Sequence, residues 1–254
     1  MNAFSLDRVS KHFLSREGTA VPALEGVSFA ATGAGITCIA GPTGSGKSTI
    51  LRILSGLERA DAGLALVAGK DPAGLNGQIG YLTQRHTLFP WMRVRENIGL
   101  PLSLRNVPEG EISSRVAALC GQLGLAGSEH LYPYELSGGM QKRTSLGRLI
   151  ASGARCWLMD EPFSALDDRT AHQLQRLLLK IAAELGLTVL FVTHSIDEAV
   201  FLADRIIVLS AGPGRVVDIF DTSIDHPRNR LSSEFGLLIE AIRCRLESVI
   251  DETG

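Results

Sequence analysis

Apolar and polar positions along this chain follow two periods. Ile36-Thr37-Cys38-Ile39-Ala40, Cys156-Trp157-Leu158-Met159, Val189-Leu190-Phe191-Val192 and Ile206 to Leu209 are apolar at nearly every position. Short runs of that kind predict strands buried on both faces, as in a parallel sheet. Ile79 to Gln84 reads as another, ending in a polar amide. Between the runs, Ile50 to Leu54 and Asp168 to Leu185 carry apolar residues at helical spacing, in the second case Leu174, Leu177, Leu178 and Ile181. Strands alternating with helices predict an α/β core with helices on both faces of a mainly parallel sheet.

The pattern differs at three places. Residues 1–35 alternate loosely (Phe4, Leu6 and Val9, then Leu24, Val27 and Phe29), which predicts a small antiparallel sheet beside the core. From Arg85 to about Ala151 the period is helical, with Pro90, Pro101, Pro108 and Pro133 as punctuation, so this stretch is expected to be a helical insertion. Leu231 to Ile250 reads as an amphipathic helix. The expected organisation is one domain: residues 1–84 and 152–230 form the α/β core with its β part, 85–151 the helical part, and 231–254 a terminal helix.

Composition narrows the setting. The chain has 254 residues, 45% hydrophobic and 20% charged, with a net charge of −2. Its pI of about 6.3 forces no basic face, so nucleic acid is not an expected partner. Mean hydropathy is +0.16, consistent with a large core or with surfaces buried against partners. No run reaches the ~18 apolar residues that would span a bilayer, and the start lacks an apolar segment of signal-peptide length. A cytosolic protein is expected, one that meets a membrane only through partners. Cys38, Cys120, Cys156 and Cys244 form no C-x-x-C pair and are expected to be reduced.

Chemistry enters at Gly41-Pro42-Thr43-Gly44-Ser45-Gly46-Lys47-Ser48-Thr49, which fits G-x-x-x-x-G-K-[ST] between a strand and a helix. Glycines let backbone N–H groups turn inward, and the helix that follows points its positive end at the same spot. Lys47 would reach the β- and γ-phosphates of a nucleoside triphosphate, and Ser48 would ligate Mg²⁺. Three strands also end in polar groups. Asp160 can hold Mg²⁺ through its water shell, and Glu161 can orient or deprotonate an attacking water. Gln84 can touch metal or water, and His194 can donate to γ-phosphate oxygens. Singly, each residue has a structural explanation; their order after the phosphate loop lifts them together. Leu136-Ser137-Gly138-Gly139-Met140 opens a further helix with a capping serine and exposed N–H groups, a second anion surface. Two chains arranged head to tail would use both surfaces, each closing the other's site.

With these motifs in hand, the sequence resembles the ATPase subunits of ATP-binding-cassette (ABC) transporters over nearly its whole length. GPTGSGKST is similar to Walker A, YLTQ to the glutamine loop, LSGGM to the signature, CWLMDE to Walker B with its catalytic glutamate, SALD (Ser164 to Asp167) to the D-loop, and VTH to the switch histidine. The resemblance implies a P-loop, RecA-like core. It implies ATP and Mg²⁺ bound between Walker A of one subunit and the signature of its mate, contacted by Ser137, Gly138, Gly139 and Met140. Lys47, Gln84, Glu161 and His194 would be catalytic, and Ser48, Gln84 and Asp160 would lie around the metal. Asp167 would lie at the nucleotide, and Phe13 would stack on adenine. Transmembrane permease subunits would dock a coupling helix near Gln84, fed by a solute-binding protein, at the cytoplasmic face of the membrane. LFPWMRVRENI, MDEPFSALD, the run from His194 to Val217 and HPRNR resemble importer ATPases for nitrate, sulfonates and taurine. Met140, Gly147-Arg148-Leu149, Ser195 and the phenylalanine at 13 depart from the commoner residues but remove no catalytic group. A lipid-transport or export ATPase, and a soluble assembly ATPase such as one serving iron–sulfur clusters, are the alternatives. In this family the solute is selected by the binding protein and permease.

Overall fold

The computed structural model describes residues 2–75, 77–84 and 88–251. Arg85-His86-Thr87, where the helical stretch was expected to begin, lie outside the described residues.

The chain opens with two long strands, β1 (Asn2–Leu14) and β2 (Ala20–Thr32), paired antiparallel. The alternation there looked loose because the ladder is bulged. Register shifts fall between Leu6 and Val9 and again at Lys11, and Arg8 sits at a φ of 48°. A bulge turns the next side chain onto the face it would otherwise miss, so Leu6 and Val9 are both buried although three apart. β3 (Gly35–Ala40) then runs into the phosphate loop and α1 (Lys47–Leu54). β4 (Ala62–Val67) returns to pair antiparallel with β1, giving a three-stranded sheet in the order β2-β1-β4.

β5 (Ile79–Leu82) enters the second sheet, and three helices follow: α2 (Val94–Ser103), α3 (Glu109–Gln122) and α4 (Gly138–Ala151). β6 (Cys156–Asp160), α5 (Asp168–Leu185), β7 (Thr188–Thr193), α6 (Ile196–Leu202), β8 (Arg205–Leu209), β9 (Val216–Asp221) and α7 (Ser233–Asp251) complete the chain. The second sheet has the order β5-β6-β7-β3-β8-β9, parallel except for the β8–β9 pair. β9 had no periodic signal because it is a half-exposed edge strand, paired antiparallel with β8.

The two apolar clusters lie on opposite faces of this sheet. Cys38, Trp157, Met159, Phe191 and Ile206 pack toward α5, α6 and the α2–α4 insertion. Ile39, Leu158, Leu190, Val192 and Ile207 pack toward α1 and the antiparallel sheet. Burial on both faces is why these strands are apolar at nearly every position. Among the described residues no helix is long and apolar enough to cross a membrane.

Candidate functional site

Three neighbouring parallel strands, β6, β7 and β3, end at one edge of the sheet, where ligands bind in open α/β folds. The phosphate loop after β3 depends on glycine. Gly44 and Gly46 have φ of 84° and 79°. A Cβ on Gly46 would meet Leu24 and stand 2.7 Å from the Ala23 carbonyl oxygen. Gly46 caps α1 with no side-chain partner, so the first N–H groups of the helix face the loop's hollow. The Lys47 ammonium fills that hollow, donating to the carbonyls of Gly41 (2.8 Å) and Pro42 (2.7 Å) and to Ser45 Oγ (3.3 Å). Burial pulls its pKa below the usual lysine range, against the pull of Glu161 and Asp160. An arriving phosphate would relieve both conditions.

Ser48 Oγ donates to Asp160 Oδ1 at 3.1 Å. Asp160 is buried, and burial raises its carboxyl above the ordinary value, partly offset by Ser48, Lys47 and Lys142. Glu161 follows at the strand's end with a φ of 43°, its N–H still paired to the Val192 carbonyl at 3.0 Å. This left-handed residue turns the chain so that two consecutive acids face one site instead of opposite sides of the sheet. Both Glu161 oxygens are engaged: Gln84 Nε2 donates to one at 2.8 Å, and His194 Nδ1 lies 3.1 Å from the other. The structure therefore gathers Lys47, Ser48, Gln84, Asp160, Glu161 and His194. The pair Ser48–Asp160 is an all-oxygen donor set of the kind Mg²⁺ takes when phosphates and water complete its shell. Gln84 is turned to Glu161.

Phe13 stands apart on β1, exposed at 38%, with the Lys11 ammonium 5.5 Å from its ring centroid. It is a surface aromatic and not part of the core, as stacking on a base requires. Ser137 and Gly138 are exposed at the start of α4, and Ser137 Oγ accepts the Met140 N–H at 3.3 Å. A Cβ on Gly139 would stand 2.6 Å from Thr170 Cγ2, so glycine lets α4 approach α5 closely. Asp167 is exposed and caps α5 through the Thr170 N–H at 3.0 Å.

One residue that sequence reasoning passed over is Lys142. It is buried at 3% exposure, and its Nζ donates to the Gln84 carbonyl at 3.2 Å. The signal was available: Lys142 shares helical spacing with Leu146 and Leu149, which makes it a cation at a core position. Glu198 was also missed. It is half-buried beside His194, accepts from Thr193 Oγ1 at 2.6 Å, and has its carboxyl raised above the usual range, chiefly by burial.

Fold and site together define a P-loop nucleotide-binding cassette. Residues 24–164 match the family model described as ABC transporter. The aliphatic sulfonates import ATP-binding protein of Bacillus thuringiensis subsp. konkukian is 37% identical over 231 residues, 91% of this chain and 90% of that one. The taurine import ATP-binding protein of Chromobacterium violaceum is 40% identical over 217 residues, 85% of this chain and 82% of that one. An ATP-binding cassette solved as a dimer in a post-hydrolysis state with ADP and Pi superposes with a TM-score of 0.77 at 29% identity, covering 89% of this chain and 99% of that one. The chain belongs to the ABC transporter family.

Proposed function

We propose that this chain is the ATP-hydrolysing subunit of an importer for a small solute of the sulfonate, taurine or nitrate kind. The observation that carries the hydrolytic reading is Glu161, held between Gln84 and His194 at the mouth of the phosphate loop. The solute class rests on the names of the relatives.

In the reaction, Lys47 exchanges its loop carbonyls for β- and γ-phosphate oxygens. Glu161 takes a proton from the water that attacks the γ-phosphorus as the bond to the β-phosphate oxygen breaks and ADP leaves. Gln84 and His194 fix the glutamate, and His194 can turn to a γ-phosphate oxygen. Ser48 and Asp160 would hold Mg²⁺, whose charge offsets that of the phosphates. Phe13 stacks on the adenine. Ser137, Gly138, Gly139 and Met140 close the partner subunit's nucleotide across a head-to-tail dimer, with Asp167 at the same junction.

Two features support permease docking on the helical side. Trp91 is 68% exposed, tilted against Phe89 with ring centroids 5.3 Å apart. A cleft of ≈ 370 Å³ opens between edge strand β5, α2 and α4, lined by Tyr81, Leu82, Pro101, Leu104, Arg148 and Leu149. Through such a permease the chain would sit at the cytoplasmic face of the membrane, served by a solute-binding protein.

The test is co-purification of the tagged chain from gently solubilised native membranes. The expected companions are a multi-helix permease and a solute-binding protein, and ligand screening on the latter would name the solute. Recovery only from the soluble fraction, with cluster-assembly proteins or none, would refute the importer.

A further inference from the structure

Helix α4 is in contact with two sites at once. Its first turn presents Ser137 and Gly138 to solvent, where a partner's nucleotide would lie. Its second turn carries Lys142, five residues on and ~7.5 Å further along the axis. The Lys142 ammonium is buried and holds the Gln84 carbonyl at 3.2 Å. Gln84 in turn holds Glu161 at 2.8 Å. A continuous path thus runs from the surface that meets the partner's nucleotide to the base that serves this chain's own.

A buried ammonium is a costly way to fill space, and methionine or leucine would pack the same position without desolvating a charge. Burial does pull the Lys142 pKa down, while the carboxylates of Asp160 and Glu161 pull the other way. Lys142 Nζ thus lies where it feels the acid pair and donates to the Gln84 carbonyl. It touches a backbone carbonyl and no reacting atom.

We propose that Lys142 is a positioning residue that couples the two ATP sites of the dimer: when the partner's nucleotide engages Ser137, α4 moves as a rigid rod and Lys142 sets the Gln84 carbonyl, and with it Glu161, for hydrolysis. This inference rests on the dimeric ATPase reading above. It requires that turnover respond cooperatively to ATP and that the response be lost with the Lys142 hydrogen bond. It also requires that nucleotide affinity, which depends on the phosphate loop and Phe13, stay as it was.

The experiment compares full-length wild type, Lys142→Met and Lys142→Arg by steady-state ATP hydrolysis, ATP binding and thermal unfolding. Wild-type rate is expected to rise sigmoidally with ATP. Lys142→Met, of similar length but without donor or charge, is expected to lower kcat about tenfold, the scale of one hydrogen bond from a charged group. Its rate should become hyperbolic in ATP, with binding and Tm not reduced. Lys142→Arg, which keeps donor and charge, is expected to restore both rate and sigmoidicity. A hyperbolic wild type, a Lys142→Met that hydrolyses like wild type, or a loss of rate accompanied by equal losses of binding and Tm would each overturn the proposal. Glu161→Gln run alongside separates the two readings. If it traps an ATP-bound dimer while Lys142→Met behaves as wild type, only the coupling fails; if it hydrolyses normally, the site reading itself fails.

Discussion

Asp160 is a carboxyl that the fold buries at the end of β6. Burial raises its carboxyl above the ordinary 3.8, so folding favours the protonated form. The stability this provides is present below the unfolded value and is lost as pH rises through the folded one. At neutral pH the nucleotide-free protein therefore carries a penalty. Asp160→Asn, whose side-chain oxygen can still accept from Ser48, is expected to raise the Tm of the nucleotide-free protein by a few degrees. It should also abolish Mg²⁺-dependent turnover, and calorimetry beside an ATPase assay checks both. His194→Ala should lower kcat by about 10²-fold or more, the usual worth of a positioned polar group in the transition state. The ATP binding constant should stay unchanged in titration. Residues of this kind were legible because each ends an apolar strand with a polar side chain. Lys142 was not, since a basic residue after a signature helix start reads as surface until its stripe is traced to Leu146 and Leu149.

The elements hold these groups through backbone geometry that tolerates little change. At Gly46, Ala would meet both a left-handed φ of 79° and the Ala23 carbonyl. The expected cost is about 1–3 kcal/mol. That should appear as a Tm lowered by ~2–4 °C per kcal/mol in a domain of this size, with ATP binding lost. On the helical side, Asn97 is fully buried; its Oδ1 accepts the Phe89 N–H at 2.9 Å, and its Nδ2 donates to the Phe89 (3.2 Å) and Met92 (2.9 Å) carbonyls. It locks the turn that presents Trp91. Asn97→Ala would strand those groups at about 1–3 kcal/mol, measurable by denaturant unfolding, and should weaken recovery of the permease in the membrane pull-down. How well elements could be read varied with burial. α5 was legible at both ends, since its apolar stripe is long and Asp167 and Gly186 cap it. The alternation in the long β1 and β2 was read as loose because their bulges break the period of two. β9 was missed because an edge strand need not be apolar.

At the scale of the molecule, one edge of the parallel sheet carries the phosphate loop, the acid pair and the switch histidine. The start of α4 presents exposed Ser137 and Gly138 elsewhere on the same chain. A relative's cassette has been solved as a dimer in a post-hydrolysis state with ADP and Pi; under the reading proposed above, two copies of this chain facing each other would bring Ser137 and Gly138 of each to the other's phosphate loop. Transport then follows if opening and closing of that pair moves whatever docks beside Trp91 and the cleft between β5, α2 and α4. The fold class and the motif order could be read from the chain because they reside in strand ends and glycine turns. The way α4 spans both sites could not, because it depends on how one helix crosses a strand.

The measurement that bears most directly on this account is the assembly state of Glu161→Gln with and without Mg-ATP, followed by light scattering on a sizing column, with turnover assayed on the same sample. A monomer that becomes an ATP-bound dimer and hydrolyses at least about 10²-fold slower than wild type is the predicted result. A protein that stays monomeric with ATP bound, or that hydrolyses ATP at the wild-type rate, would contradict both the shared site and the role of Glu161 as its base.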